Sequence, residues 1–185
     1  MNIDFEVVKF LNHLGSPWID PATKLISSNL LLVVLWIAVT AGFLVYDKKN
    51  GRKIAAAAIV AFILHFLISE GFFKYLLPEF GLFRVRPYLA YPGDIIPLGT
   101  LNTDSSFPSS HMSSTLAILT VYVYYSRKFW PLALAFAVFM AFARIHNGMH
   151  YPSDVLDGAI LGVLYGIAAI WLSSRKVGYE YLEKR

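Results

Sequence analysis

The chain has 185 residues, 57% of them apolar and 15% charged, with a formal charge of +4 and no cysteine. Ordinary soluble domains are about 45–50% apolar and about 25% charged, so the composition indicates one membrane-embedded domain over residues 1–185. Disulfides and thiolate metal sites are excluded, and no basic stripe interleaves with exposed aromatics in the manner of a nucleic-acid surface.

The N-terminus carries Asp4 and Glu6, not the basic region of a cleavable signal. From Asn2 to Leu14, Phe5, Val8, Leu11 and Leu14 recur at helical spacing among Asp4, Glu6 and Lys9. The stretch is too short to cross a bilayer and predicts an interfacial helix. Gly15, Pro17 and Pro21 then break the chain.

A crossing helix needs about 20 largely apolar residues. The stretches Leu25–Tyr46, Ile54–Leu77, Ser110–Tyr125, Pro131–Ile145 and Val155–Leu172 meet or approach that requirement. Backbone polar groups in lipid must pair internally, so an all-α bundle of about five transmembrane helices is predicted. The third and fourth stretches are short, and their ends should reach the interface.

Basic residues set the direction. Lys48, Lys49, Arg52 and Lys53 follow the first span, Arg127 and Lys128 follow the third, and Arg175, Lys176, Lys184 and Arg185 lie in the tail beside Glu180 and Glu183. Five spans put these segments on one side, which the positive-inside rule makes cytoplasmic. The expected location is the cytoplasmic (inner) membrane. Arg84, Arg86 and Arg144 then fall at the outer face, against the bias, where an anionic ligand would account for them.

The chemistry-bearing residues collect at that face. Lys74 ends the second span, His111 opens the third, Arg144 closes the fourth, and His150 and Asp154 precede the fifth. A phosphate ester loses its leaving group while charge on its equatorial oxygens is stabilised. Guanidinium groups do this bidentately, and lysine does it as a point charge. Pro108, Ser109 and Ser110 read as a helix start whose amides can face an anion. A neutral histidine can attack phosphorus when a carboxylate holds its tautomer, and Asp154 lies one turn beyond His150. His111 could protonate the leaving oxygen and then activate water.

Arg144-x5-His150-x3-Asp154 resembles the last signature motif of the type 2 phosphatidic acid phosphatase superfamily. Pro108-Ser109-Ser110-His111 resembles its middle motif, usually Pro-Ser-Gly-His, and Arg86-Pro87 resembles the end of its first, Lys-x6-Arg-Pro. The resemblance frames Lys74 to Asp154 and implies a membrane lipid phosphatase that needs no metal or other cofactor. His150 would be the nucleophile that forms a phosphohistidine, Asp154 would orient it, and His111 would be general acid and then base. Lys74, Arg86, Ser109 and Arg144 would bind phosphate, helped by the backbone N–H of Ser110. The implied partner is a phosphorylated lipid in the bilayer. Polyprenyl diphosphates such as undecaprenyl diphosphate come first, because similar small bacterial members recycle that carrier. Phosphatidylglycerophosphate, phosphatidic acid and lipid A phosphates are alternatives, and a non-enzymatic lipid-binding or transport protein is the alternative class.

Three positions depart from the pattern. Ser110 stands for glycine and Ala143 for serine, and residues 75–85 put eleven positions between Lys74 and Arg86 where the motif has six. Either Lys74 still reaches the site or Arg84 substitutes for it. Glu70 is expected to pair with Lys74 one turn away. His65 and His146 are expected to be packed polar contacts, and Gly158, Gly162 and Gly166 to admit a neighbouring helix. Trp18, Tyr88, Tyr91, Trp130 and Trp171 are expected to be interfacial rings.

Overall fold

A computed structural model of the chain describes residues 2–182, with side chains as far as Ser174. The tail residues Lys184, Arg185 and Glu183, and the side chains of Arg175, Lys176 and Glu180, lie outside the described residues. In chain order the helices are α1 (Ile3–Asn12), α2 (Ile19–Ile26), α3 (Asn29–Tyr46) and α4 (Gly51–His65), which continues as a π-helical stretch (Phe66–Leu76). Short turns α5 (Leu77–Glu79) and α6 (Pro87–Ala90) follow, then α7 (Ser110–Tyr125), a 3-10 turn (Arg127–Phe129), α8 (Trp130–His146) and α9 (Pro152–Leu182). There is no strand among the described residues, so the molecule is an all-α bundle.

Among the described residues, four segments are long and apolar enough to cross a membrane: 29–46, 51–80, 127–146 and 152–174. At 16 residues, α7 is about 24 Å long, short of the roughly 30 Å of a hydrocarbon core. It is the inner helix, packed on α4, α8 and α9, so its neighbours rather than lipid surround most of it. Successive long helices alternate in direction. The starts of α3, α7 and α9 and the ends of α4 and α8 therefore meet at one end of the bundle.

The glycine stripe explains the closest contact. A Cβ on Gly158 would stand 2.6 Å from the Ser109 carbonyl oxygen, one on Gly162 2.4 Å from that of Ser113, and one on Gly166 2.6 Å from Thr120 Cβ. Only hydrogen fits at these three positions of α9, so α7 lies directly against its backbone. This is the close helix approach expected of the stripe.

Several expectations need correction. Pro21 does not break the chain; it occupies the first turn of α2, where its missing N–H would have had no intrahelical partner anyway. The first span accordingly starts at Asn29, with the Ser28 hydroxyl accepting from Leu31 N, and not at Leu25. The second starts at Gly51, ahead of Ile54. The N-terminal helix does more than lie in the interface: Val8 is fully buried, Phe5 stacks on Tyr91 at 3.9 Å, and Asn12 is buried between Ile96 and His146. Tyr88 is buried too, its hydroxyl donating to the Asn102 carbonyl. Trp18, Trp130 and Trp171 are exposed as interfacial rings should be.

Candidate active site

A cavity of about 400 Å³ opens at the end where the five long helices meet. Its polar lining includes Lys74, Arg86, Ser110, His111, Arg144 and His150. Leu32, Val33 and Trp36 of α3 and Phe62 and Phe66 of the α4 segment continue the same cavity as an apolar wall. Groups separated by as many as 76 residues (74 to 150) are thus gathered by helix alternation alone.

The π-helical stretch sets the direction in which Lys74 points. Its hydrogen bonds run from i to i+5, so residues five apart share a face. Ser69 and Lys74 both point inward and are buried, and His65 and Glu70 both line the cavity. Lys74 is consequently not stacked on Glu70, and the expected pair between them is replaced. Lys74 Nζ instead donates to Asp104 Oδ2 at 2.8 Å. His65 keeps a packed polar contact, with Nδ1 3.0 Å from Ser113 Oγ.

Asp104 was not singled out by sequence reasoning. It belongs to the polar run Asn102–Ser106 just ahead of the Pro108–His111 motif, and no spacing rule marks it. Its carboxylate bridges Lys74 and Arg86, accepting from Arg86 Nη2 at 2.7 Å. Burial works against its charge, but Lys74 and then Arg86 outweigh burial and hold it below the usual carboxylate range. Arg86 is 1% exposed and is held through all its nitrogens: Nε by the Asp104 carbonyl at 3.0 Å, Nη1 by that of Met149 at 3.1 Å, and Nη2 by Asp104.

Carbonyl oxygens can only accept, so they assign the tautomers of both site histidines. His150 Nδ1 lies 2.8 Å from the Ser106 carbonyl oxygen and must carry the proton, which leaves the lone pair on Nε2. Arg86 Nη1 stands 3.4 Å from that lone pair. Burial first, then Arg144, Arg86, Lys74 and His111, hold the His150 imidazole well below its ordinary pKa, so it is neutral. His111 Nε2 donates to the Ser27 carbonyl at 2.9 Å, so Nδ1 is the nitrogen left for proton transfer.

Asp154 stands one turn from His150 as the spacing suggested but does not hydrogen-bond to it. The carboxylate is 3.9 Å from Nδ1, and the hydrogen bond goes to Ser106 instead. Asp154 Oδ2 accepts from Ser106 Oγ at 2.5 Å and from Tyr151 N at 2.9 Å. It therefore steadies the segment whose carbonyl orients His150. Its other oxygen accepts from Arg84 Nη1 at 2.6 Å. Arg84 is thus no substitute for Lys74. It stands behind the site, bonded to Asp154, Ser153 and Asp4 and lying over the Tyr151 ring at 4.2 Å.

Arg144 is 4% exposed, its Nε is buried without a partner, and no group among the described residues accepts from it. The hydroxyls of Ser109 and Ser110 are buried without partners as well. Ser110 lines the cavity at the first turn of α7, where amides have no intrahelical acceptor. Ser109 stands just behind, its amide donating to the Asp154 carbonyl at 3.1 Å. Buried polar groups are normally paired, and Arg144 and Ser110 face one cavity as donors would around an anion. His146 is elsewhere, bridging the Leu11 carbonyl and Asp20 at 2.8 and 3.0 Å, in the packing role expected of it.

The chain is similar to known proteins. A Bacillus licheniformis protein named bacitracin transport permease protein BcrC is 28% identical over 95% of this chain and 82% of its own length. An undecaprenyl-diphosphatase of Sulfolobus acidocaldarius is 31% identical over 76% of this chain and 64% of its own length. The crystal structure of Aquifex aeolicus LpxE superposes with a TM-score of 0.69 at 21% identity, covering 92% of this chain and 96% of that one. Residues 54–177, which hold the cavity's cations and both histidines, match the PAP2 superfamily. The chain belongs to that superfamily, as a multi-pass membrane phosphoric ester hydrolase.

Proposed function

We propose that the protein is a metal-independent lipid phosphatase acting through a phosphohistidine, with a polyprenyl diphosphate such as undecaprenyl diphosphate as its substrate. The observation that carries this reading is Arg144, a buried guanidinium without a hydrogen-bond acceptor among the described residues, lining the same cavity as His150, whose lone pair is on Nε2. Phosphate oxygens would supply the acceptors for Arg144, Ser110 and the first amides of α7.

His150 Nε2 attacks phosphorus as the bond to the leaving oxygen breaks, and that oxygen takes the Nδ1 proton of His111, which enters the step as an imidazolium with its Nε2–H kept on the Ser27 carbonyl. Water then attacks the phosphohistidine and gives a proton to the same Nδ1. The P–N bond breaks, phosphate leaves, and His150 is neutral again. Lys74 and Arg86 face the developing charge with Arg144, and Asp104 keeps the first two in place. Negative charge spread over the equatorial oxygens is what such preorganised donors stabilise best.

The apolar wall from Leu32 to Phe66 supports a lipid substrate, whose tail would lie along α3 and α4 while its phosphate reached the cations. The undecaprenyl-diphosphatase relative favours an isoprenoid tail. The site is assigned to the extracytoplasmic face of the cytoplasmic membrane, because Lys48, Lys49, Arg52, Lys53, Arg127 and Lys128 cluster at the other end of the bundle.

Phosphate release by purified protein in detergent, with a chelator present, tests the mechanism. Activity should persist under chelation, be inhibited by vanadate as a phosphate mimic, and vanish in His150→Ala. Loss on chelation or survival of His150→Ala refutes it. Parallel rates on undecaprenyl diphosphate, phosphatidylglycerophosphate, phosphatidic acid and lipid A decide the substrate, with the first expected to be fastest.

A further inference from the structure

The short helix α2 matches no motif, yet it ends against the proposed general acid. His111 Nε2 donates to the carbonyl of Ser27, the residue that caps the C-terminus of α2. The last carbonyls of a helix carry partial negative charge. This end therefore does two things for an imidazole in a cavity lined by Lys74, Arg86 and Arg144. It fixes the tautomer, and it offsets part of the positive field when the ring is protonated.

The position of that carbonyl is itself held. Asn147 is fully buried at the C-terminus of α8, and its Nδ2 donates to the Thr23 carbonyl and to Ser27 Oγ, both at 3.2 Å. It grips α2 at the turn that ends in Ser27. We infer that Asn147 is a positioning residue for proton transfer: it seats the C-terminus of α2 so that the Ser27 carbonyl orients His111, with Nδ1 presented to the leaving oxygen. The inference rests on the general-acid role proposed for His111.

In the transfer to His150, which kcat/KM reports without the later hydrolysis, a group that acts through the general acid matters only where the leaving oxygen needs a proton. An alkyl phosphate expels a strongly basic alkoxide, whereas 4-nitrophenyl phosphate expels a weakly basic phenolate. Asn147→Ala is expected to lower kcat/KM on a short-chain alkyl phosphate about tenfold, a fraction of the 10²–10⁴ that general acids contribute. On 4-nitrophenyl phosphate kcat/KM should fall less than about threefold. Vanadate inhibition within about twofold of wild type would show the phosphate site intact.

Combined with His111→Ala, Asn147→Ala should add nothing on the alkyl phosphate, because both act on one proton transfer. Ser27→Ala removes one of the two Asn147 contacts without opening a large cavity, and should show the same leaving-group selectivity at smaller size. Ser27→Ala decides the matter if Asn147→Ala does not fold. Equal losses on both substrates, or an undiminished effect of Asn147→Ala on top of His111→Ala, overturn the inference. Wild-type activity in His111→Ala alone would instead overturn the general-acid role, independently of α2.

Discussion

Replacing Gly162 by alanine tests whether the seam between α7 and α9 sets the geometry of the site. The new Cβ would lie 2.4 Å from the Ser113 carbonyl oxygen and 2.8 Å from Leu116 Cβ. Both neighbours are backbone or first side-chain atoms with no rotamer to escape through. Ordinary contacts begin near 3.4 Å or above (about 3.5–4.0 Å between carbons), so the helices must part by about 1 Å. Overpacking of this kind costs about 1–3 kcal/mol. Alanine recovers about 1 kcal/mol of helix propensity, leaving a net loss of up to about 2 kcal/mol. At about 2–4 °C per kcal/mol for a chain of this size, Tm should fall by several degrees. Activity should suffer more than stability, because α7 carries Ser110 and His111 at its mouth. A displacement of about 1 Å can cost about 10²-fold in rate. Phosphate release and thermal unfolding in the same detergent measure both. Wild-type kcat/KM together with an unchanged Tm would refute the reasoning.

Other perturbations probe the charges. Asp104 has its folded pKa depressed by Lys74 and Arg86, so its stabilisation is present above its unfolded value of about 3.9 and is lost as pH falls through the lower folded value. Asp104→Asn should melt below wild type at pH 7, and the gap should narrow toward pH 3; a gap independent of pH would contradict the pairing. His150 is held neutral, with its folded pKa below the unfolded value of about 6.5. The unfolded chain therefore binds the extra proton first as pH drops, and stability should decline from about pH 7.5 to 5. His150→Gln should flatten that slope, and an unchanged slope would count against a buried neutral ring. Arg84→Met leaves the buried Asp154 carboxylate without its cation; because Arg84 is partly exposed and Asp154 keeps Ser106 and Tyr151, the cost falls below the about 3–5 kcal/mol of fully buried pairs. A lower Tm with at least tenfold weaker kcat/KM is expected, and Asp4→Asn should show a milder loss; an Arg84→Met protein as stable as wild type would place Arg84 outside the support of the site.

Much of this was legible in the linear chain because the signals are local or periodic. Apolar runs of fixed length give the long helices, Pro-Ser-Ser-His marks the start of α7, and Gly158, Gly162 and Gly166 announce a tight seam at helical spacing. The alternation of spans then sends Lys74, His111, Arg144 and His150 to one end, whichever side faces the cytoplasm. What escaped is of another kind. Asp104 and Ser106 hold the site through contacts whose partners lie as far as 48 residues away, between Ser106 and Asp154, and a polar loop gives no periodicity to betray them. Pro21 reads as a breaker because the local rule cannot tell the first turn of a helix from its interior.

The sequence by itself determined the kinds of groups present, the number and polarity of the long helices and, through them, which ends meet. Only the tertiary structure decided the hydrogen bonds that give each group its state. It turned Lys74 inward by widening one helix to i→i+5 bonding, moved Asp154 from His150 to Ser106, sent Arg84 behind the site, and brought the C-terminus of α2 to His111. The physical reason is that a span is chosen by burial, which sums over many residues and tolerates error. A tautomer or an ion pair is chosen by one acceptor within about 3 Å, and that acceptor comes from wherever in the chain the packing happens to bring it.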